Sequence, residues 1–305
     1  MLDKMKIKNL TKIMVCILSK QVTTKADLVE NTELSNSTVS SAVNSLIKLD
    51  LLEKAGFEES IGGRRSTIYK MNSSYAHFLG IGLYKNNIHF VITNFAGEFV
   101  ESFGIEIEPS ASVIKILINA IEKVMGTYPK IIGIGIGLDA EINYKEQIII
   151  SCDAYNWKQV HLKEILERKF LTFIYIDHLA NGVAYRERLF GYAKETENYL
   201  CYHESAQTKA ALVLNNSICR GQENYTGKID SIHEFFEHID IFIKFLDVSK
   251  IIIRYFTEEF KNMANQLAKE HQKTIICIEQ MDNDVEIGMA ISAQREWFKS
   301  VYFML

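Results

Sequence analysis

The sequence predicts an α/β protein in which an N-terminal winged helix-turn-helix precedes a larger domain of alternating strands and helices. Three observations carry that prediction. Residues 36–50 are an apolar-periodic helix whose remaining face holds short hydroxyl and amide side chains. Gly62-Gly-Arg-Arg-Ser66 then reads as the tip of a hairpin. From Phe78 the texture changes to short apolar runs separated by amphipathic segments, as strands covered by packed helices require.

In chain order, residues 10–19 carry Leu10, Ile13, Met14, Ile17 and Leu18 at helical spacing. Thr23-Thr24 is placed to cap a second helix over 25–31, and Leu34-Ser35-Asn36 is a tight break before a third. In that third helix, near 35–49, Val39, Val43, Leu46 and Ile47 bury one face, and Ser37 is placed to cap it. Asn36, Ser37, Thr38, Ser40, Ser41, Asn44 and Lys48 occupy the other side. Such groups gain little from water that Glu or Lys would not gain better. They suit the major groove of double-stranded DNA, where they reach phosphates and base edges. Arg64 and Arg65, on the wing, are expected to meet phosphates or a narrow minor groove. Residues 1–72 hold 11 Lys and Arg against 8 Asp and Glu, whereas the whole chain has a net charge of −4. Only the first segment has the sign for nucleic acid. The join at 69–74 is short and polar, which places the domains at 1–72 and 73–305.

In the larger domain, strands are expected over 78–84 and 88–93, with Ala96-Gly97 turning into a third over 99–103. Val113, Ile116, Leu117, Ala120, Ile121 and Val124 line one side of a helix over 113–125. Ile131-Ile-Gly-Ile-Gly-Ile-Gly137 is a buried strand whose glycines admit another backbone at close range. Helices over 162–170 and 180–190 flank a strand at 173–176. The composition, 48% hydrophobic and 24% charged, is that of globular protein, and 305 residues allow two or three domains. No apolar run reaches membrane-spanning length and no signal-peptide core opens the chain, so a cytoplasmic protein is expected. Cys16, Cys152, Cys201, Cys219 and Cys277 never fall in CxxC spacing and read as reduced thiols, with no metal site among them.

The order of the winged helix, Gly62-Gly-Arg-Arg, Leu79-Gly-Ile-Gly, Asn94-Phe-Ala-Gly97, Gly133-Ile-Gly-Ile-Gly137, Asn156-Trp157 and Asn181…Glu187-Arg-Leu-Phe-Gly191 resembles the ROK family of repressors and sugar kinases. Glu286-Ile-Gly-Met-Ala290 is similar to the family's closing helix. The resemblance implies a two-lobed, actin-like ATPase (ROK sugar-kinase) fold, with lobe one over about 73–180 and a shortened lobe two over about 181–305. It also implies what this chain has lost. The family's catalytic Asp falls on Leu179, which cannot accept a proton. Asp177 and His178 come near only if the match at Ala180, Asn181, Glu187 and Gly191 is broken. In the first phosphate loop, Gly82-Leu-Tyr-Lys-Asn86 lacks the Asp and puts Tyr84 where bare backbone should approach phosphate. The second, Tyr202 to Lys209, has no glycine. The family's sugar-contacting Glu and His are Lys228 and Ser231, and its Pro-Gly turn is Asp139-Ala140. Asn181 and Glu187 remain as ligand-binding candidates; otherwise they are a helix N-terminus and a surface carboxylate. His233 and His238, five apart and without the family's cysteine cluster, are a poor metal pair.

The expected function is therefore a DNA-binding transcriptional regulator, a repressor, whose kinase-like domain has no catalytic residues and needs no cofactor. Its expected partners are a double-stranded DNA operator, a second copy in a homodimer and a small-molecule effector, with a sugar effector in doubt from the changed pocket. The other readings are a sugar kinase that retains a winged helix and a protein-interaction adaptor that no longer touches DNA.

Overall fold

The computed structural model describes residues 2–58, 65–108, 111–128, 130–203, 210–222, 226–229, 232–255, 258–270, 275–279 and 281–300. The N-terminal module, the expected DNA reader, comprises α1 (Leu2–Lys20), β1 (Val22–Thr23), α2 (Lys25–Thr32), α3 (Asn36–Lys48), β2 (Leu52–Phe57) and β3 (Thr67–Met71). Its three strands pair in the order β1-β3-β2, and the antiparallel β2–β3 pair forms the body of the wing. α1 begins earlier than expected. None of residues 5–9 is buried, so hydrophobic periodicity registers the helix only from Leu10. Thr24 caps α2 in a capping box, its hydroxyl accepting from Asp27 N while Asp27 accepts from Thr24 N.

Lobe one contains β4 (His77–Leu83), β5 (Asn87–Asn94), β6 (Phe99–Glu106), α4 (Val113–Thr127), β7 (Ile131–Leu138), a small antiparallel sheet of β8 (Glu141–Asn143), β9 (Ile148–Cys152) and β10 (Trp157–Val160), α5 (Leu162–Phe170) and β11 (Phe173–Asp177). α6 (Leu179–Phe190) leads to lobe two: β12 (Tyr199–His203), β13 (Ala210–Leu214), β14 (Ser217–Cys219), α7 (Ile232–Glu237), α8 (Ile239–Phe245), β15 (Lys250–Tyr255), α9 (Glu258–Glu270) and β16 (Ile275–Glu279), before α10 (Asp284–Phe298) closes the chain. The main sheets run β11-β7-β4-β5-β6 and β16-β15-β12-β13-β14. Each is an antiparallel three-strand meander extended by two parallel strands. The lobes thus share one topology that no sequence repeat betrays.

One expected boundary needs correction. Residues 284–298 fall in the expected lobe two, yet α10 returns to pack on α6, β4 and β7. Close approach makes this possible: a Cβ on Gly80 or Gly135 would run into the backbone carbonyls of Glu286 or Met289.

The reader is not tethered by a free linker. Leu10, Ile13, Met14, Ile17 and Leu18 of α1 share one buried cluster with Phe78, Phe95, Tyr185, Leu189, Trp297 and Phe298. Phe95 and Trp297 meet edge to face at 5.8 Å, and Gln294 Nε2 donates to Phe95 O at 2.7 Å. The polar join is itself held, Asn72 Nδ2 donating to Asp50 O at 2.9 Å. The Asn94-Phe-Ala-Gly97 turn therefore serves as a dock for α1. Among the described residues no helix is long and apolar enough to cross a membrane, and no group of three or more His, Cys, Asp or Glu could hold a metal.

Candidate nucleic-acid interface and interlobe cleft

Val39, Val43 and Leu46 anchor α3 to the reader's core, which turns its opposite face outward. Asn36, Ser37, Ser41, Asn44 and Lys48 are exposed, and Thr38 and Ser40 are half-buried at the edge of that face. The helix cap differs from expectation. Ser35, not Ser37, is the N-cap, accepting from Thr38 N at 3.2 Å, and its hydroxyl lies 2.9 Å from those of Ser37 and Thr38. The cap thus lies two residues earlier than expected, so Ser37 already lies within the first turn. Arg64 and the two glycines of the wing tip fall outside the described residues; Arg65 is exposed beside β3. Lys25 was not anticipated at this surface. Its Nζ lies 3.5 Å from Asn44 Oδ1 and 5.9 Å from the Tyr69 ring centroid, and with Arg65 it lines a shallow hollow. The available signal was a lysine directly after the Thr24 cap, on the same side as the wing.

In the interlobe cleft, β11 ends on Asp177, whose side chain is fully buried. Its Oδ1 accepts from His178 N at 2.8 Å and Asn181 Nδ2 at 2.6 Å. Its Oδ2 accepts from Tyr175 OH at 3.0 Å and Arg220 Nη2 at 2.5 Å. Arg220 lies over the Tyr144 ring at 4.3 Å and donates to Tyr175 OH at 2.8 Å. Asp177 thus accepts from four donors, one of them its ion-pair partner Arg220, so that both carboxylate oxygens are engaged within the protein. Burial lowers the basicity of His178, whose Nδ1 is enclosed without a hydrogen-bond partner among the described residues.

Asn181 and Glu187 are not brought into one site. Asn181 belongs to the Asp177 cluster. Glu187 is neither a surface carboxylate nor open to a ligand, which corrects both expectations for it. Fully buried, it receives Arg254 and Arg186 on Oε1 and Tyr192 N on Oε2 at 2.9 Å. Sequence spacing could not reveal this, because Arg254 arrives from β15.

At the first loop, Tyr84 OH donates to Glu286 Oε1 at 2.8 Å, and Tyr155 OH donates to Tyr84 O at 2.5 Å. The tyrosine ring fills the approach to Gly82. Burial raises the Glu286 carboxyl above its ordinary range, with the Tyr84 hydrogen bond working against the rise. A raised folded value means a contribution present in acid and lost as pH climbs from the unfolded through the folded pKa. Glu286→Gln keeps an acceptor for Tyr84 and removes that loss. It is expected to be at least as stable as wild type at neutral pH, with a flatter profile in urea denaturation between about pH 4 and 8. A clear destabilisation at pH 7 would show that the ionised carboxylate is needed.

The ROK family model matches residues 78–233. The xylose repressor of Caldicellulosiruptor bescii is 28% identical over 232 residues, 73% of this chain and 58% of that protein. The xylose repressor of Bacillus subtilis is 31% identical over 219 residues, 70% of this chain and 57% of that protein. The chain thus spans a little over half the length of these curated relatives. Among solved structures, a ROK family transcriptional regulator, a homolog of the E. coli MLC protein, superposes with a TM-score of 0.76, covering 98% of each chain at 16% identity. A ROK glucokinase from Streptomyces griseus, in complex with glucose and AMPPNP, superposes with a TM-score of 0.58 over 72% of this chain and 100% of that one, at 11% identity. At such identities these likenesses speak for the two-lobed actin-like fold.

Proposed function

Because the chain belongs to the ROK family, we propose that it is a DNA-binding transcriptional repressor, cytoplasmic and homodimeric, whose sugar-kinase-like domain is non-catalytic. The observation that carries this reading is the outward face of α3, small and polar, with Lys25 and Arg65 beside it. Asn36, Ser37, Thr38, Ser40, Ser41, Asn44 and Lys48 contact bases and phosphates, and Arg64 and Arg65 grip the backbone from the wing. A two-fold operator matches the two readers of a dimer. The lack of catalysis is supported by Leu179 at the base position and by the saturation of Asp177. Asn181 is retained as a contact for an effector entering beside Arg220.

Selection of bound duplexes from a random pool tests the reading, with half-site spacing reporting the dimer. Affinity should fall as a power of salt concentration, and Arg64→Ala with Arg65→Ala should reduce that slope by about 2 while weakening all sequences alike. Asn44→Ala should instead relax preference at one base pair by about 1–3 kcal/mol. Failure to enrich any duplex at low salt, or an arginine pair removable without loss, would overturn it.

A further inference from the structure

Between the reader and the lobes lies a groove of about 910 Å³. One wall is α1 and the end of α2; the other is α6, the β13–β14 turn and α10. Seven Lys and Arg line it against two carboxylates, Glu195 and Glu197. Arg188 of α6 and Arg295 of α10 stand out. Arg188 gives Nη1 to Asn216 Oδ1, but its Nε is buried with no partner among the described residues. Arg295 lies over the Tyr185 ring at 4.8 Å, and its Nη1 is likewise buried without a partner. Neither guanidinium has an ion-pair partner among the described residues. Burial, and after it the neighbouring Arg295, lowers the basicity of Arg188, with Tyr199 and Glu197 working against that. Both arginine side chains are half-buried, and two such like charges, each with one buried N–H group left without an acceptor among the described residues, are costly unless something negative comes to them.

We propose that this groove is a binding site for a small phosphate-bearing molecule, held by Arg188 and Arg295 and closed over by Lys8, Lys12 and Lys20 of the reader. Guanidinium donors match phosphate oxygens in fork geometry, and the lysines add point charge without fixing register. The volume exceeds inorganic phosphate and suits a small organic phosphate. Since its walls belong to both modules, the ligand ties the reader's orientation to its own occupancy. Where the chain acts as a repressor, which is the reading above, operator affinity shifts by the ligand's preference for one orientation.

Binding is measured on the full chain without DNA, so failure of operator selection leaves this test intact. Pyrophosphate should raise the unfolding temperature saturably beyond sodium chloride of equal ionic strength. Arg188→Gln with Arg295→Gln should weaken pyrophosphate binding by about tenfold or more, as expected from lost charge-assisted hydrogen bonds. Should that variant not fold, the exposed pair Lys8→Gln and Lys194→Gln should still weaken binding while keeping the chloride melting curve. Absence of saturable stabilisation, or binding unchanged in the folded variants, overturns the proposal. So does a groove that serves DNA backbone instead: no pyrophosphate effect, with Lys8→Gln and Lys194→Gln lowering random-duplex affinity as much as the wing arginine substitutions.

Discussion

Arg254→Met is expected to destabilise the protein by about 3–5 kcal/mol, read as a lowered urea midpoint. Arg254, on β15, is 1% exposed and sits in a ring of two cations and two anions. It pairs with Glu187 of α6 and approaches Asp284 of α10 to 2.9 Å, and Arg186 completes the ring at 3.2 Å from Glu187 and 2.9 Å from Asp284. Arg254 Nη1 also donates to Glu279 O at 3.2 Å. The ring is close to neutral, and it fastens lobe two to the pair of helices that carry the reader. Removing Arg254 leaves two enclosed carboxylates facing one cation. Methionine replaces much of the volume, so the cost is electrostatic and not a cavity.

The penalty should depend on pH in a definite direction. Burial raises the Asp284 carboxyl above its ordinary range, and Arg254 is the first group pulling it back. Without Arg254 it rises further. A carboxyl raised in the folded state disfavours folding once pH exceeds its unfolded value and continues to do so through its folded value. The gap between variant and wild type should therefore shrink below about pH 4 and reach its full size near neutrality. Adding Glu187→Gln to Arg254→Met should recover part of the loss, as a double-mutant cycle would report. A midpoint shared with wild type at pH 7 would mean that the ring contributes nothing.

The second large effect is expected from Gly135→Ala. The new Cβ would enter the space of Met289 O, and the nearest atoms there are backbone, so no rotamer change relieves the contact. α10 must lift from β7, at a cost of about 3 kcal/mol. α10 also carries Gln294 and Trp297, which hold the Phe95 turn beneath α1. Proteolysis near the 72–77 join should therefore accelerate before the lobes themselves unfold. Gly126→Ala is the matched control. That glycine lies in α4 with nothing within 4 Å of the added methyl, and the change should stabilise by about 0.5–1 kcal/mol. Equal behaviour of the two variants in thermal unfolding would sink the close-packing account.

Most of the reader was legible in the residues. The Val39, Val43 and Leu46 stripe gave the orientation of α3, and the Thr24 cap gave the start of α2. Both are local: a helix face and a cap are written within a few residues. The glycine strand at 131–137 likewise announced close approach, though not what approaches. Residues 141–160 went unread because three short strands of mixed polarity leave no period to detect. Ser37 lost the cap to Ser35 by a shift of two residues, within the usual uncertainty of helix ends.

Sequence alone thus determined the order of modules and the face of α3 presented outward, because each depends on neighbours along the chain. Only the tertiary structure decided which groups surround Glu187, Arg254, Arg188 and Arg295. Their partners come from separate elements, and whether a buried charge is answered or left waiting depends on which side chains three dimensions bring within a few ångströms.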